Sequence, residues 1–126
     1  MKYKIGDVIT VIDINYERGT VEIVGKVGRR FLWNRRADYT GERGGDLFQV
    51  DLESGFTLIL PGDRPDVVER LTQLRRQEAD ARRQHGKDRE EARYQFGRQW
   101  DTEHPYPTAG LRAYIAELRK EATDGN

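Results

Sequence analysis

Apolar residues follow two different rhythms along this chain. Through residue 62 they recur at strand spacing between Gly-containing turns, and from residue 63 onward they recur at helical spacing in a charged background. Residues 7–14 (DVITVIDI) are nearly continuous in apolar character. On an extended strand Val8, Ile12 and Ile14 share one face, and Ile9 and Val11 share the other. A strand apolar on both faces needs a cover on each. One cover is the interior of a small barrel, and the other is a helix from the second half.

The remaining strands follow the same logic. After a turn at residues 15–19, with Gly19 suited to positive φ, residues 20–27 alternate. Val21, Ile23 and Val27 are expected inside and Glu22 and Lys26 outside, with Gly25 marking a bulge or bend. Residues 30–34 form a third strand. Residues 47–52 and 56–60 form two more, with Phe48, Val50 and Leu52 on one face and Phe56, Leu58 and Leu60 on another. Five short strands in this span predict a small barrel or strongly bent sheet.

Pro61-Gly62 ends the strand pattern. Asp63 is placed to cap a helix, with Pro65 in its first turn. Val67, Leu71 and Leu74 form one apolar stripe, which fades after Leu74. The spacing predicts a helix over residues 66–84 whose far half projects from the body, because that half is polar or charged. Glu78 and His85 fall where a coiled coil needs apolar residues, which argues against one. His85-Gly86 predicts a break. Residues 88–100 resume a helical pattern through Ala92, Phe96 and Trp100. Residues 104–107 (HPYP) are extended, Thr108 is placed to cap a last helix, and Leu111, Tyr114, Ile115 and Leu118 give that helix a compact apolar face.

The opening residues Lys4-Ile5-Gly6-Asp7-Val8-Ile9-Thr10-Val11 resemble the first strand of SH3-like small barrels, including the KOW type of transcription and ribosomal proteins. There a Gly-Asp pair often leads a Val-rich strand. The resemblance covers these eight residues and the strand rhythm to Leu60. It implies an SH3-like five-stranded barrel and carries over no functional residue. The expected fold is therefore α+β: a small barrel over residues 1–62, then two or three helices over residues 63–126 that pack partly on it.

Composition narrows the function. The hydrophobic share of 36% against 35% charged residues leaves a small core. The 22 basic and 22 acidic residues cancel, so nothing favours non-specific coating of DNA. Cys is absent, which removes disulfides, thiolate zinc sites and a Cys nucleophile. No apolar run has the length of a membrane span, and no signal peptide is visible. The expectation is a cytoplasmic protein with no membrane partner. Its compactness and charge density also suit a phage-type inhibitor, adaptor or virion component in a host cytoplasm.

The most suggestive stretch is residues 29–36 (RRFLWNRR). Arg29, Phe31, Trp33 and Arg35 fall on one strand face, where guanidinium groups can hold phosphates and rings can stack on bases. The plainer alternative puts Phe31 and Trp33 in the core and pairs the four arginines, Arg29, Arg30, Arg35 and Arg36, with nearby acids such as Asp38, Glu42 and Asp46. A third reading makes them anchors for a protein partner. Residues 35–46, with Tyr39, Arg43 and three Gly, form a long loop suited to partner contact; Asp46 and a following strand rule out a phosphate-binding loop. Trp100 and Tyr106, near Phe96, are expected either to pack on the last helix or to dock another chain.

Histidines 85 and 104 are the only two, each beside one carboxylate, and neither set matches a metal-binding spacing. Ser54, the only Ser, sits in a turn without a neighbouring His. No catalytic, cofactor or metal role is assigned. The expected function is non-enzymatic protein binding through Arg29, Arg30, Trp33, Arg35, Arg36, Tyr39, Arg43, Phe96, Trp100 and Tyr106, with self-association as a further route to stability. The alternatives are a nucleic-acid or ribonucleoprotein module using the arginine strand, and a small enzyme whose site assembles only in space.

Overall fold

The computed structural model describes residues 3–37, 47–92, 98–108 and 110–124. The elements in chain order are β1 (Val8–Asp13), β2 (Arg18–Val27), β3 (Phe31–Arg36), β4 (Phe48–Asp51) and β5 (Thr57–Pro61), then α1 (Pro65–Ala92), α2 (Arg98–Glu103) and α3 (Leu111–Asp124). The strands form one antiparallel sheet in the order β4-β3-β2-β1-β5. Its edges, β4 and β5, do not pair with each other, so the sheet is not closed into a barrel. The architecture is α+β, a five-stranded sheet followed by helices.

β1 is covered on both faces, as its sequence requires. Ile9 and Val11 join Val24 and Leu32 in one buried cluster, flanked by Tyr3, Val50, Leu52 and Ile59. Ile12 joins Leu60 and the helices in the other, through Val67, Leu71 and Leu74 of α1 and Leu111, Ile115 and Leu118 of α3. The apolar stripes of both helices therefore meet over β1 and β5. A fully buried Leu or Ile contributes about 1.5–3 kcal/mol relative to exposure, so this shared cluster is the main bond between sheet and helices.

β2 departs from its expected phase. Glu22 and Val24 are buried, while Val27 is exposed. The ladder to β3 shifts register between Val24 and Lys26, which makes Gly25 the expected bulge. A bulge inserts one unpaired residue and reverses the alternation beyond it. The true rows are Glu22, Val24 and Val27 on one face, and Val21, Ile23 and Lys26 on the other. Leu47 Cδ2 lies 2.6 Å from where a Cβ on residue 25 would sit, so its methyl fills the space the glycine leaves. Gly19 is not the left-handed turn residue; Glu17 takes that role at φ 56°. Gly19 lies in β2 opposite Ile12, where a Cβ would come within 3.2 Å of Val68 Cγ2, and it lets α1 cross the strand closely.

The start of α1 is fixed from a distant strand. The residue before the helix is Arg64 rather than Asp63. Its N–H donates to Thr10 Oγ1 at 2.9 Å, and the same hydroxyl donates to Gly62 O at 2.9 Å. Thr10 is fully buried, so this hydroxyl satisfies two backbone groups that would otherwise be orphaned near a helix end. The Arg64 side chain pairs with Asp66 and, at 2.5 Å, with Glu121, tying α1 to α3. Those carboxylates, Asp66 first, hold the guanidinium even further above its usual range.

α1 runs unbroken through His85 and Gly86 for 28 residues, so the expected break does not occur. A glycine at an exposed helical site costs about 1 kcal/mol relative to Ala, too little to end a helix that neighbours support. Glu78 extends the buried stripe one turn past Leu74, and its charge is matched by Arg82. α3 carries the expected face, with Leu111, Ile115 and Leu118 buried and Tyr114 packed beside them. Its N-terminus uses Gly110 at φ 77°, and Thr108 contributes its backbone carbonyl to Leu111 N–H rather than a side-chain cap.

Two substitutions test this account. Thr10→Val removes the shared hydroxyl at constant shape and is expected to lower unfolding free energy by about 1–3 kcal/mol in urea titration, with Thr10→Ser recovering most of it. Gly86→Ala meets no atom within 4 Å. It is expected to raise stability by about 0.4–1 kcal/mol in the same assay, because the continuous helix needs no glycine there.

Candidate functional site

Alternation along β3 sorts the arginine-aromatic strand onto two faces. Leu32 and Asn34 are fully buried on the inner face. Phe31, Trp33 and Arg35 share the outer face, as expected, while Arg29 sits exposed in the bend before the strand. Phe31 and Trp33 belong to neither core cluster. They are half-buried neighbours with ring centroids 6.1 Å apart. Among the described residues α1 packs on β2 and α3 on β5, and no helix packs extensively over β3 or β4.

Cations sit on both rings. Lys26, paired with Trp33 across the ladder, places Nζ 4.7 Å from the indole centroid. The opposing approach is tight as well, since a Cβ on Gly28 would lie 3.0 Å from Trp33 Cζ3. Arg30 places its guanidinium carbon 5.3 Å from the Phe31 centroid. Arg30 also forms a two-bond fork with Asp51, Nε to Oδ1 at 3.1 Å and Nη2 to Oδ2 at 2.9 Å, with Glu53 beside it at 3.6 Å. The fork holds the Asp51 carboxyl below its ordinary range. Arg30 is thus paired with acids of β4 and the following turn; Asp38, Glu42 and Asp46 lie outside the described residues.

The inner face carries a polar group that sequence periodicity had placed outside. Glu22 faces Arg36 across the ladder, next to the Val24–Asn34 pair. Burial pushes the Glu22 carboxyl above its ordinary range, opposed by the nearby Asn34 amide and the Arg36 charge. Neither Glu22 Oε1 nor either polar atom of Asn34 has a well-formed hydrogen bond within the described protein. A cavity of about 470 Å³ opens beside this group, lined by Arg18, Thr20, Glu22, Arg36 and Phe48 of the sheet and by Thr72 and Arg75 of α1. Arg36 therefore faces a different environment from Arg35 and Trp33. Glu22 and Arg18 become legible as site residues only once the bulge at Gly25 sets the phase of β2.

Trp100 and Tyr106 pack on α1, not on α3 as expected. His85 lies between them, 4.9 Å from the Trp100 ring and 5.5 Å from Tyr106. Trp100 stacks on His104 at 4.3 Å, and Arg82 caps Tyr106 at 4.7 Å. His85 Nε2 donates to His104 O at 2.8 Å and His104 Nδ1 to Trp100 O at 3.0 Å, because carbonyl oxygens only accept. Arg89 forks onto Asp101. These contacts hold α2 and the following segment against the polar half of α1, which therefore does not stand alone in solvent. Tyr39, Arg43 and Phe96 lie outside the described residues. Among the described residues no three His, Asp or Glu gather as a metal site, and no helix is long and apolar enough to cross a membrane.

Among the described residues, the fold and its surfaces thus define an α+β protein with an aromatic-cation sheet face and an arginine-lined cavity. Compared with protein-family models, curated proteins and solved structures, the chain matches none.

The raised pKa of Glu22 has a pH signature. A carboxyl whose folded pKa lies above its unfolded value contributes stability that is present in acid and lost as pH rises through the folded pKa. Glu22→Gln is therefore expected to gain stability relative to the natural chain as pH rises from about 4 to 7, read as the difference in unfolding free energy from urea titrations. A flat difference across that range would mean that Glu22 is well solvated in the folded state.

Proposed function

We propose that this protein is a non-enzymatic protein-binding module of SH3-like small-barrel type, and that the outer face of β3 holds the partner. The strand order, a four-strand meander with β5 returning beside β1, supports the barrel-type reading. The observation that carries the functional reading is the placement of Lys26 and Arg30 over Trp33 and Phe31. Bases stack on free ring faces. Here the rings already have cationic caps, and stacking requires those caps to be displaced. A protein surface with an apolar centre and an acidic rim fits without displacement: the ring edges and Leu47 meet the centre, and Lys26, Arg29 and Arg35 meet the rim. Trp with surrounding Arg is a recurrent anchor composition at protein interfaces.

Affinity capture from a host lysate, with and without nuclease, tests this when run beside point variants. A nuclease-resistant partner is expected, and Trp33→Ala is expected to weaken it by about 30-fold, the loss typical of a central aromatic anchor. Arg29→Ala and Arg35→Ala are expected to change mainly the association rate and its salt dependence. Capture that disappears with nuclease and depends on those arginines would instead assign a nucleic-acid role. A partner that turns out to be the chain itself would make this face a self-association surface, visible by light scattering.

A further inference from the structure

The cavity on the inner side of the sheet is chemically unlike the rest of this neutral chain. Among the described residues its lining includes three arginines, Arg18, Arg36 and Arg75, and one carboxylate, Glu22. Glu22 is already engaged electrostatically by Arg36, its partner across the ladder. Arg18 and Arg75 have no hydrogen-bonding or ion-pair partner among the described residues, whereas Arg30, Arg64, Arg82, Arg83 and Arg89 are each paired with a carboxylate. Like charges brought to one concave site repel, and the arrangement is stable where an anion bridges them. Guanidinium forks match the geometry of phosphate oxygens closely.

Two further features give the anion a shape. The Thr20 hydroxyl is a hydrogen-bonding group in the same wall. Phe48 stands at the rim with 53% of its surface exposed, on the inner face opposite Asn34, and offers a ring face of the kind on which planar rings stack. The volume of about 470 Å³ is in the range of small-ligand sites. We propose that this cavity binds a nucleotide: a phosphate ester held by Arg18 and Arg75, with Arg36 kept in place by Glu22, and a base laid against Phe48. The site lies on the opposite face of β3 from Trp33, so it is independent of the partner surface above.

The same chemistry is presented by a free nucleotide and by the 5′ end of a strand, and the experiment separates them. The full chain is titrated calorimetrically with AMP and GMP, with inorganic phosphate, with adenosine, and with a short oligonucleotide carrying or lacking a 5′ phosphate. Mononucleotides are expected to bind more tightly than phosphate or adenosine alone. Arg18→Gln and Arg75→Gln, both outside the core clusters, are each expected to weaken binding at least tenfold with the thermal midpoint unchanged. Phe48→Ala is expected to reduce nucleotide affinity to that of inorganic phosphate. Tighter binding of the phosphorylated oligonucleotide than of its unphosphorylated form or of mononucleotides assigns the site to strand ends. The proposal is overturned if neither mononucleotides nor the phosphorylated oligonucleotide bind at millimolar concentration, if Arg18→Gln and Arg75→Gln leave binding unchanged, or if inorganic phosphate binds as well as nucleotide and Phe48→Ala has no effect.

Discussion

Burial of β1 on both of its faces is the constraint on which the other elements depend. Ile9 and Val11 need the inner surface of the sheet, and Ile12 needs the helices. A strand in this position must be central, so β2 and β5 pair on either side of it. The helices then have one place to bury their stripes. Val67, Leu71 and Leu74 meet Leu111, Ile115 and Leu118 over the same strand, and the small core expected from the composition becomes one cluster joining both halves of the chain. Gly19 permits this by leaving room for α1 at the crossing point.

Polar contacts then settle where the helices begin and how far they extend. Thr10 fixes the entry to α1 from inside the sheet, and Arg64 carries the link onward to α3. Beyond Leu74 the helix has little apolar surface, yet it remains helical to Ala92. What supports that half is a set of charge and ring contacts: Glu78 with Arg82, Arg82 over Tyr106, His85 between two aromatic rings, and Arg89 with Asp101. Such contacts are individually weak at exposed sites, and they act here as a group.

A single inserted residue separates the two candidate surfaces. The bulge at Gly25 reverses the alternation of β2, which brings Lys26 over Trp33 on the outside and leaves Glu22 beside Asn34 and Arg36 on the inside. The run of arginines and aromatics in β3 is therefore not one patch. Its odd-numbered residues serve an apolar-cationic face, and its even-numbered residues serve the core and a polar cleft. The first suits contact with another protein surface, and the second suits a small anionic ligand.

The amino-acid sequence by itself determined the strand and helix periods, because those are local. The two-sided character of β1, the faces of β4 and β5, the bulge at Gly25 and the apolar stripes of α1 and α3 all follow from spacing of 2 or 3.6 residues. Tertiary structure decided what local spacing cannot carry. The phase of β2 depends on which strand pairs beyond the bulge, and so the burial of Glu22 was hidden. The helix cap at Arg64 comes from Thr10, more than fifty residues earlier. Continuity of α1 through Gly86 rests on partners from α2 and the segment after it. The open edges of the sheet depend on whether β4 and β5 meet. The arginine cavity draws Arg18, Arg36 and Arg75 from three elements, and only the packing of α1 beside β2 brings them to one wall.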